Sequence, residues 1–348
     1  MSTIHIYHHG DLDGKTAGAC IYHMLYIPGF DNKALYNLYN YTIPLDLHNI
    51  QKDDIIFLVD YSLSNIDNIK RLAGLCKDYW EGEEEYHIFW LDHHKTSFNN
   101  IDTYPLNKIS KVIDTDRCGA AISYIVARMY LNSITEPDDQ SDCIEKLMDI
   151  IKEVDLEGIE HYYNYYENMF IDFVDDWDRW KLEHEHISAF NLGALMACGN
   201  PTSENFETVL CSTDKGSVLI DLCLDHGLVI EEYLEQDSTQ KLSEMGFECN
   251  LIFNDTPYRC ICYNGRGNSK TFGHLIDDFD ICVMFYYVGD QFIYSLYSKD
   301  VDTSEISLAM GGGGHPGASG FQNKELLFKK DGTLNILKDD DKVFVSQL

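Results

Sequence analysis

The chain has 348 residues, 45% of them hydrophobic, enough for two domains with cores of their own. It carries 26 Lys and Arg against 58 Asp and Glu, a formal charge of −32. So acidic a surface repels phosphate backbones at long range, which excludes a long nucleic-acid duplex as partner unless bound cations or a basic groove offset the field.

A small anionic substrate held by metal stays compatible with that charge. The eleven cysteines are odd in number and form no CxxC pair, so they read as reduced thiols rather than a disulfide framework or a zinc finger. "MSTIHIYHHGD" has neither a basic n-region nor an apolar h-region, and no apolar run reaches membrane-spanning length. A soluble, cytoplasmic protein with no membrane partner is expected.

In chain order, "TIHIYHH" alternates as a short strand does. After the acidic turn "HHGDLDG", Ala17, Cys20, Ile21, Met24 and Leu25 recur at helical spacing until Pro28 and Gly29. "DDIIFLVDYS" is an apolar strand ending on Asp60, and Ile66, Ile69, Ala73 and Cys76 then mark a helix. "YHIFWLDHHKTS" is a strand ending on Asp92, His93 and His94, followed by helical spacing at Ile122, Ile125, Val126 and Met129. Alternation of this kind predicts an α/β domain with a parallel sheet covered by helices on both faces. Ligands of such sheets bind beyond the carboxyl ends of the strands, where Asp11, Asp13, Asp60, Asp92, His93 and His94 all fall.

Residues 140–195 read as helical and acidic, and "ACGNPTSEN" breaks that pattern. A helical stretch over about 215–245 leads to the strand-like runs "CNLIFND", "YRCICYN", "DICVMFYYV" and "QFIYSLYS", the last two split by a Gly289-Asp290 turn. The expected division is an α/β domain over 1–200, a helical connector over 201–245 and a smaller mixed α/β domain over 246–348. The tyrosines of "HYYNYYENMF" read best as packing an interdomain or homodimer face, with base stacking as the alternative.

Singly, each acidic motif is also what a helix cap or a solvated turn looks like. Together they are not. Carboxylates converging without a cation would hold their protons at a cost of several kcal/mol, and a divalent cation removes that cost. Asp and His ligation without thiolate suits Mn²⁺, with Mg²⁺, Fe²⁺ or Co²⁺ as alternatives. Asp11 and Asp13, two residues apart, let one turn serve two neighbouring ions.

"HHGDLDG", "VDYS", "DHHKT" and an aspartate of "VDDWDRW" resemble, in order and approximate spacing, motifs I to IV of the DHH phosphoesterase superfamily. "GGGGHPGASGF", about 220 residues after "DHH", resembles the signature of that family's DHH-associated C-terminal domain, so the likeness covers nearly the whole chain. It implies two divalent cations, Mn²⁺ foremost. Carried over by position, His9 and Asp11 would ligate one ion, Asp13, His93 and Asp176 the other, and Asp60 would bridge them. Asp92 would be a further ligand or would orient a ligand imidazole, and His94 would stand at the scissile phosphate. His8 competes with His9. Asp172, Asp175 and Asp178 compete with Asp176, which is preferred from the family's aspartate-aromatic-aspartate form.

Gly312, Gly313, Gly314 and His315 would meet substrate phosphate, since glycines let backbone N–H groups approach an anion closely. Tyr297 stands where many members carry a phosphate-binding arginine. Arg266, Lys270 or Lys299 would then substitute, or Tyr297 would stack on a base. The implied activity is hydrolysis of short oligonucleotides or of cyclic or linear dinucleotides, exonuclease or phosphodiesterase, by a hydroxide that two metals activate. Two alternatives stay open: a nucleotide 3′-phosphatase of the phosphoadenosine phosphate type, and a non-catalytic nucleotide-binding sensor.

Overall fold

The structure, a computed structural model, describes residues 2–30, 32–38, 44–83, 85–134, 140–163, 167–327 and 343–346. The chain divides into two units, Met1–Ile230 and Glu231–Leu348.

The first unit is built on five parallel strands: β1 (Thr3–His9), β2 (Asn32–Leu38), β3 (Ile55–Val59), β4 (Tyr86–Asp92) and β5 (Ile109–Ile113), in the order β2-β1-β3-β4-β5. Every residue of β3 is buried, as a strand covered on both faces requires. The pleat deals alternate side chains to two cores. Ile4, Ile6, Phe57, Val59, Phe89 and Leu91 pack beneath α1 (Leu12–Met24), with its Ala17, Cys20 and Ile21. Tyr7, Ile56, Leu58, Ile88 and Trp90 pack beneath α2 (Ile66–Trp80), with its Leu72 and Cys76. Ile66, expected on the inward face of that helix, is 58% exposed, because the helix starts there and its buried stripe runs through Ile69, Leu72 and Cys76.

α3 (Gly119–Ser133) buries Ile122, Ile125 and Val126 on the α1 side of the sheet. α4 (Gln140–Glu157), α5 (Ile159–Tyr163), α6 (Met169–Asp178), α7 (Ile187–Cys198) and α8 (Glu204–Cys211) come next in the chain. α9 (Thr213–Met245) runs through the division between the units, so residues 201–230 stay with the first unit. Among the described residues, no helix is long and apolar enough to cross a membrane.

The second unit is a seven-stranded mixed sheet. β6 (Phe247–Phe253), β7 (Thr256–Asn264), β8 (Ile281–Val288) and β9 (Gln291–Tyr297) cover the four runs read from the sequence. β10 (Gly313–His315), β11 (Ala318–Asn323) and β12 (Val343–Ser346) complete the order β10-β11-β9-β8-β7-β6-β12. Only β7 and β8 pair in parallel among these described strands. The β6–β7 turn places Asn254 and Asp255 at φ 51° and 62°, and Gly289 opens the β8–β9 turn at φ 66°. Both turns thus use residues that tolerate left-handed backbone. The short helices α10 (Leu275–Asp278) and α11 (Thr303–Ala309) lie in the connections from β7 to β8 and from β9 to β10.

Candidate metal centre

The strand order reverses direction between β1 and β3, and a parallel sheet opens a crevice at the carboxyl ends on either side of such a reversal. β1 delivers His9 and the turn after it, β3 delivers Asp60, and β4 delivers Asp92, His93 and His94.

Each carboxylate is aimed by backbone chemistry. Asp11 is the N-cap of α1, accepting from the Gly14 N–H at 2.9 Å, while its other oxygen lies 2.7 Å from His9 Nδ1. Gly14 is required there, because a Cβ would stand 2.5 Å from the His9 carbonyl oxygen. Asp13 accepts from Gly119 N–H at 2.9 Å and Ala120 N–H at 2.7 Å, so its charge sits on the positive end of α3. Asp60 leaves β3 at φ 48°, a left-handed value that an aspartate tolerates better than most residues, and its N–H donates to the Leu91 carbonyl at 2.9 Å. α3 passes so close that a Cβ on Gly119 would lie 2.6 Å from Asp60 Cβ.

Three triads of ligand-capable atoms result, each with its members within 4.8 Å of one another: His9, Asp11 and Asp60; Asp60, His93 and His94; Asp13, His93 and Asp178. Asp60 is 1% exposed and turns its two oxygens to opposite sides. Oδ2 lies 4.0 Å from His9 Nδ1, and Oδ1 lies 3.2 Å from His93 Nε2. That Oδ1 is buried without an aligned hydrogen-bond partner.

Burial and the charges of Asp13, Asp11, Asp178 and Asp92 push the Asp60 carboxyl well above the usual carboxylate range. Burial and the charges of Asp13, Asp11 and Asp175 push Asp178 up to about 9. A donor set of Asp and His without thiolate, crowded until two carboxyls hold their protons, with one oxygen orphaned in the middle, fits divalent cations of the Mn²⁺, Mg²⁺ or Co²⁺ kind.

The α6 ligand differs from the sequence expectation. Asp176 turns away from the centre: Oδ1 accepts from the Glu183 N–H and Oδ2 from the His184 N–H, both at 2.9 Å, so it fastens the loop after α6. Asp178, half a helical turn further round, is the α6 carboxylate that reaches the centre, with Oδ2 at 3.4 Å from His93 Nε2. His8 points the other way from His9, under α1, where it is 1% exposed against Gly18, and burial pushes it down to about 4.

Asp92 enters none of the triads. It is fully buried, accepts from His94 Nδ1 at 2.7 Å and takes the Ser97 hydroxyl on its other oxygen. Ser97 and Thr96 bond Ser62, which ties the loops after β3 and β4 together. Burial opposes a charge on His94, but the Asp92 bond outweighs it and raises the imidazole above its usual value.

Asp175, which the sequence offered as an alternative to Asp176, enters none of the triads. It is 1% exposed and accepts from Cys118 N–H at 2.7 Å, Lys181 Nζ at 2.7 Å and Arg117 Nη1 at 2.9 Å. Arg117 also binds Glu160 and lies 3.7 Å from the Tyr163 ring centre. Of "HYYNYYENMF", residues 164–166 lie outside the described residues; Tyr163 is buried in the core.

In the second unit, Tyr297 and Gly311, Gly312, Gly313 and Gly314 line an open depression of about 860 Å³. His315 is exposed and, with Arg266, is not among the residues lining it. Arg266 lies over the Tyr286 ring at 4.9 Å. The glycines serve the β10–β11 hairpin first. A Cβ would stand 2.1 Å from the Gly320 carbonyl oxygen at Gly312 and 2.5 Å from Ser319 Cα at Gly314, whose φ is 140°. At Gly313 a Cβ would meet nothing within 4 Å.

No family model and no curated protein matches the chain. Solved structures do resemble it. They include the DHH domain of a member of the s1p family of ribosomal proteins, at 13% identity and TM-score 0.46 over 92% of this chain and 82% of that one. The exonuclease RecJ bound to manganese matches at 14% and 0.45 over 93% and 86%. The pGpG-specific phosphodiesterase PggH of Vibrio cholerae matches at 11% and 0.37 over 92% of each chain. At these identities and TM-scores the likeness is one in the course of the chain.

Proposed function

We propose that the protein is a metal-dependent phosphoric ester hydrolase of the DHH type, cleaving phosphodiesters of short oligonucleotides or of cyclic or linear dinucleotides. The observation that carries this reading is Asp60, a buried carboxylate with an orphaned oxygen, shared by two ligand triads at the sheet's crevice. The motif resemblance and the charge of −32, which disfavours long duplexes, support it.

His9, Asp11 and Asp60 would hold one cation, and Asp13, His93 and Asp178 a second, with Asp60 facing both. Cations bound there supply positive charge to phosphoryl oxygens and lower the pKa of water towards neutrality. The chain's own residues do the rest. The N-termini of α1 and α3 pin Asp11 and Asp13, so the ligands are set before anything binds. Asp92 accepts the hydrogen bond of His94 Nδ1–H, which fixes the ring's tautomer and makes Nε2 the nitrogen that exchanges a proton. Its raised basicity suits it to protonate the leaving alkoxide.

The test is a Mn²⁺-supplemented screen of short RNA, short DNA, linear and cyclic dinucleotides, phosphoadenosine phosphate and pyrophosphate. Wild-type protein is expected to cleave the dinucleotides and short oligonucleotides. Asp60→Asn, folded by circular dichroism, should lose at least about a hundredfold in rate, more than the usual loss for groups that merely support a ligand. Near-normal hydrolysis by that variant would refute the assignment, and calorimetric binding without turnover would favour the sensor.

A further inference from the structure

The end of α6 carries two tryptophans that the ligand set does not use. Trp80 and Trp90 are buried at 1% and 0%, whereas Trp180 is 69% exposed. Its ring stacks on Trp177, with centroids 5.5 Å apart and planes 30° from parallel. Trp177 itself packs against the main core of the first unit. One face of the Trp180 indole is therefore backed by fixed structure.

The backbone holds it in place. Trp180 sits at φ 54° and Leu182 at φ 54°, values that bulky side chains rarely adopt. The Trp180 N–H donates to the Trp177 carbonyl at 3.2 Å and the Lys181 N–H to the Asp176 carbonyl at 3.0 Å. Asp176 secures the next turn through Glu183 and His184. Folding stability alone gives no reason to force a large apolar ring into water through a left-handed residue.

Position supplies the reason. Trp180 lies two residues beyond Asp178, whose carboxylate stands in the centre. The cations of this segment are committed elsewhere: Arg117 to Glu160 and Asp175, Lys181 to Asp175, and Arg179 to the Asp116 carbonyl. With these cations occupied, what the end of α6 itself offers a substrate is a contact that needs no charge, an aromatic face for a nucleobase.

We propose that Trp180, backed by Trp177, is the stacking platform for the nucleobase adjoining the scissile phosphate. The proposal rests on the phosphoesterase reading and narrows its substrates to base-bearing ones, since a sugar phosphate or a polyphosphate presents no π-face.

The experiment measures calorimetric affinities of the Mn²⁺-loaded protein for AMP and for ribose 5-phosphate, its base-free counterpart. Wild type is expected to prefer AMP by about tenfold or more, within the range of base–aromatic stacking. Trp180→Ala should bring the ratio close to one, and Trp180→Tyr should restore most of it. For diadenylate hydrolysis, Trp180→Ala should raise KM with little change in kcat. Equal affinity of wild type for the two probes, or an unchanged ratio in Trp180→Ala, overturns the proposal, as does a parallel loss for both probes. Failure of the phosphoesterase reading shows separately, as absence of dinucleotide hydrolysis by wild type while the binding ratio persists.

Discussion

Asp178→Asn tests the crowding at the centre. Asp178 keeps only 23% of its side-chain surface, and burial with the charges of Asp13, Asp11 and Asp175 lifts its carboxyl from 3.8 to about 9. A carboxyl whose folded pKa is raised contributes stability that is fully present below 3.8 and is lost as pH rises towards 9. At pH 7 the metal-free fold holds a proton that the unfolded chain has released. With about 3 units between them and about 1.4 kcal/mol per unit, the cost approaches about 4 kcal/mol. Asparagine keeps the shape without needing that proton.

Urea unfolding in EDTA should therefore show wild type weakening from pH 5 to pH 8. The variant should weaken less and exceed wild type at pH 8 by about 2–4 kcal/mol. A smaller slope should persist in the variant, because Asp60 is raised by the same crowding. Excess Mn²⁺ should narrow or close the gap: wild type gains about 2.7 kcal/mol at a hundredfold excess over Kd, and the variant gains less. A metal-free variant less stable than wild type at pH 8, or a wild-type stability flat across that range, would show that these carboxylates are not held together against their own repulsion.

Two further substitutions separate ligand from support. Asp176→Ala, at a residue 3% exposed, strands the Glu183 and His184 N–H groups and should cost about 1–3 kcal/mol in urea unfolding, yet leave Mn²⁺ affinity within severalfold of wild type. Loss of Mn²⁺ binding as severe as that of Asp178→Ala would reverse their roles. Gly119→Ala places a Cβ 2.6 Å from Asp60 Cβ, so α3 or Asp60 must move. About 1–3 kcal/mol of stability and about tenfold in Mn²⁺ affinity should go with it, and wild-type values in both would mean that the close approach is unimportant.

The local pattern alone determined much of this protein. The alternation of "HIYHH" and the apolar runs "IIFLV" and "IFWL" fix strands. The helically spaced apolar residues after each strand fix a β-α succession whose acidic ends must share one edge of the sheet. Other features needed the assembled fold. β2, "NKALYNL", is mostly half-buried beside β1, and no continuous apolar run announced it.

Which aspartate of α6 serves the centre depends on how that helix is rotated against α3, since each residue turns the side chain by about 100°. Sequence spacing gives the period and leaves the phase to packing. The choice between His8 and His9 has the same origin: successive residues of a strand face opposite ways, and only the seating of α1, through Gly18, over His8 decided which face is closed. The requirement at Gly119 arises between residues 59 positions apart in the chain, where a helix N-terminus meets a strand end. Such distances exist only once the sheet has brought its strand ends together.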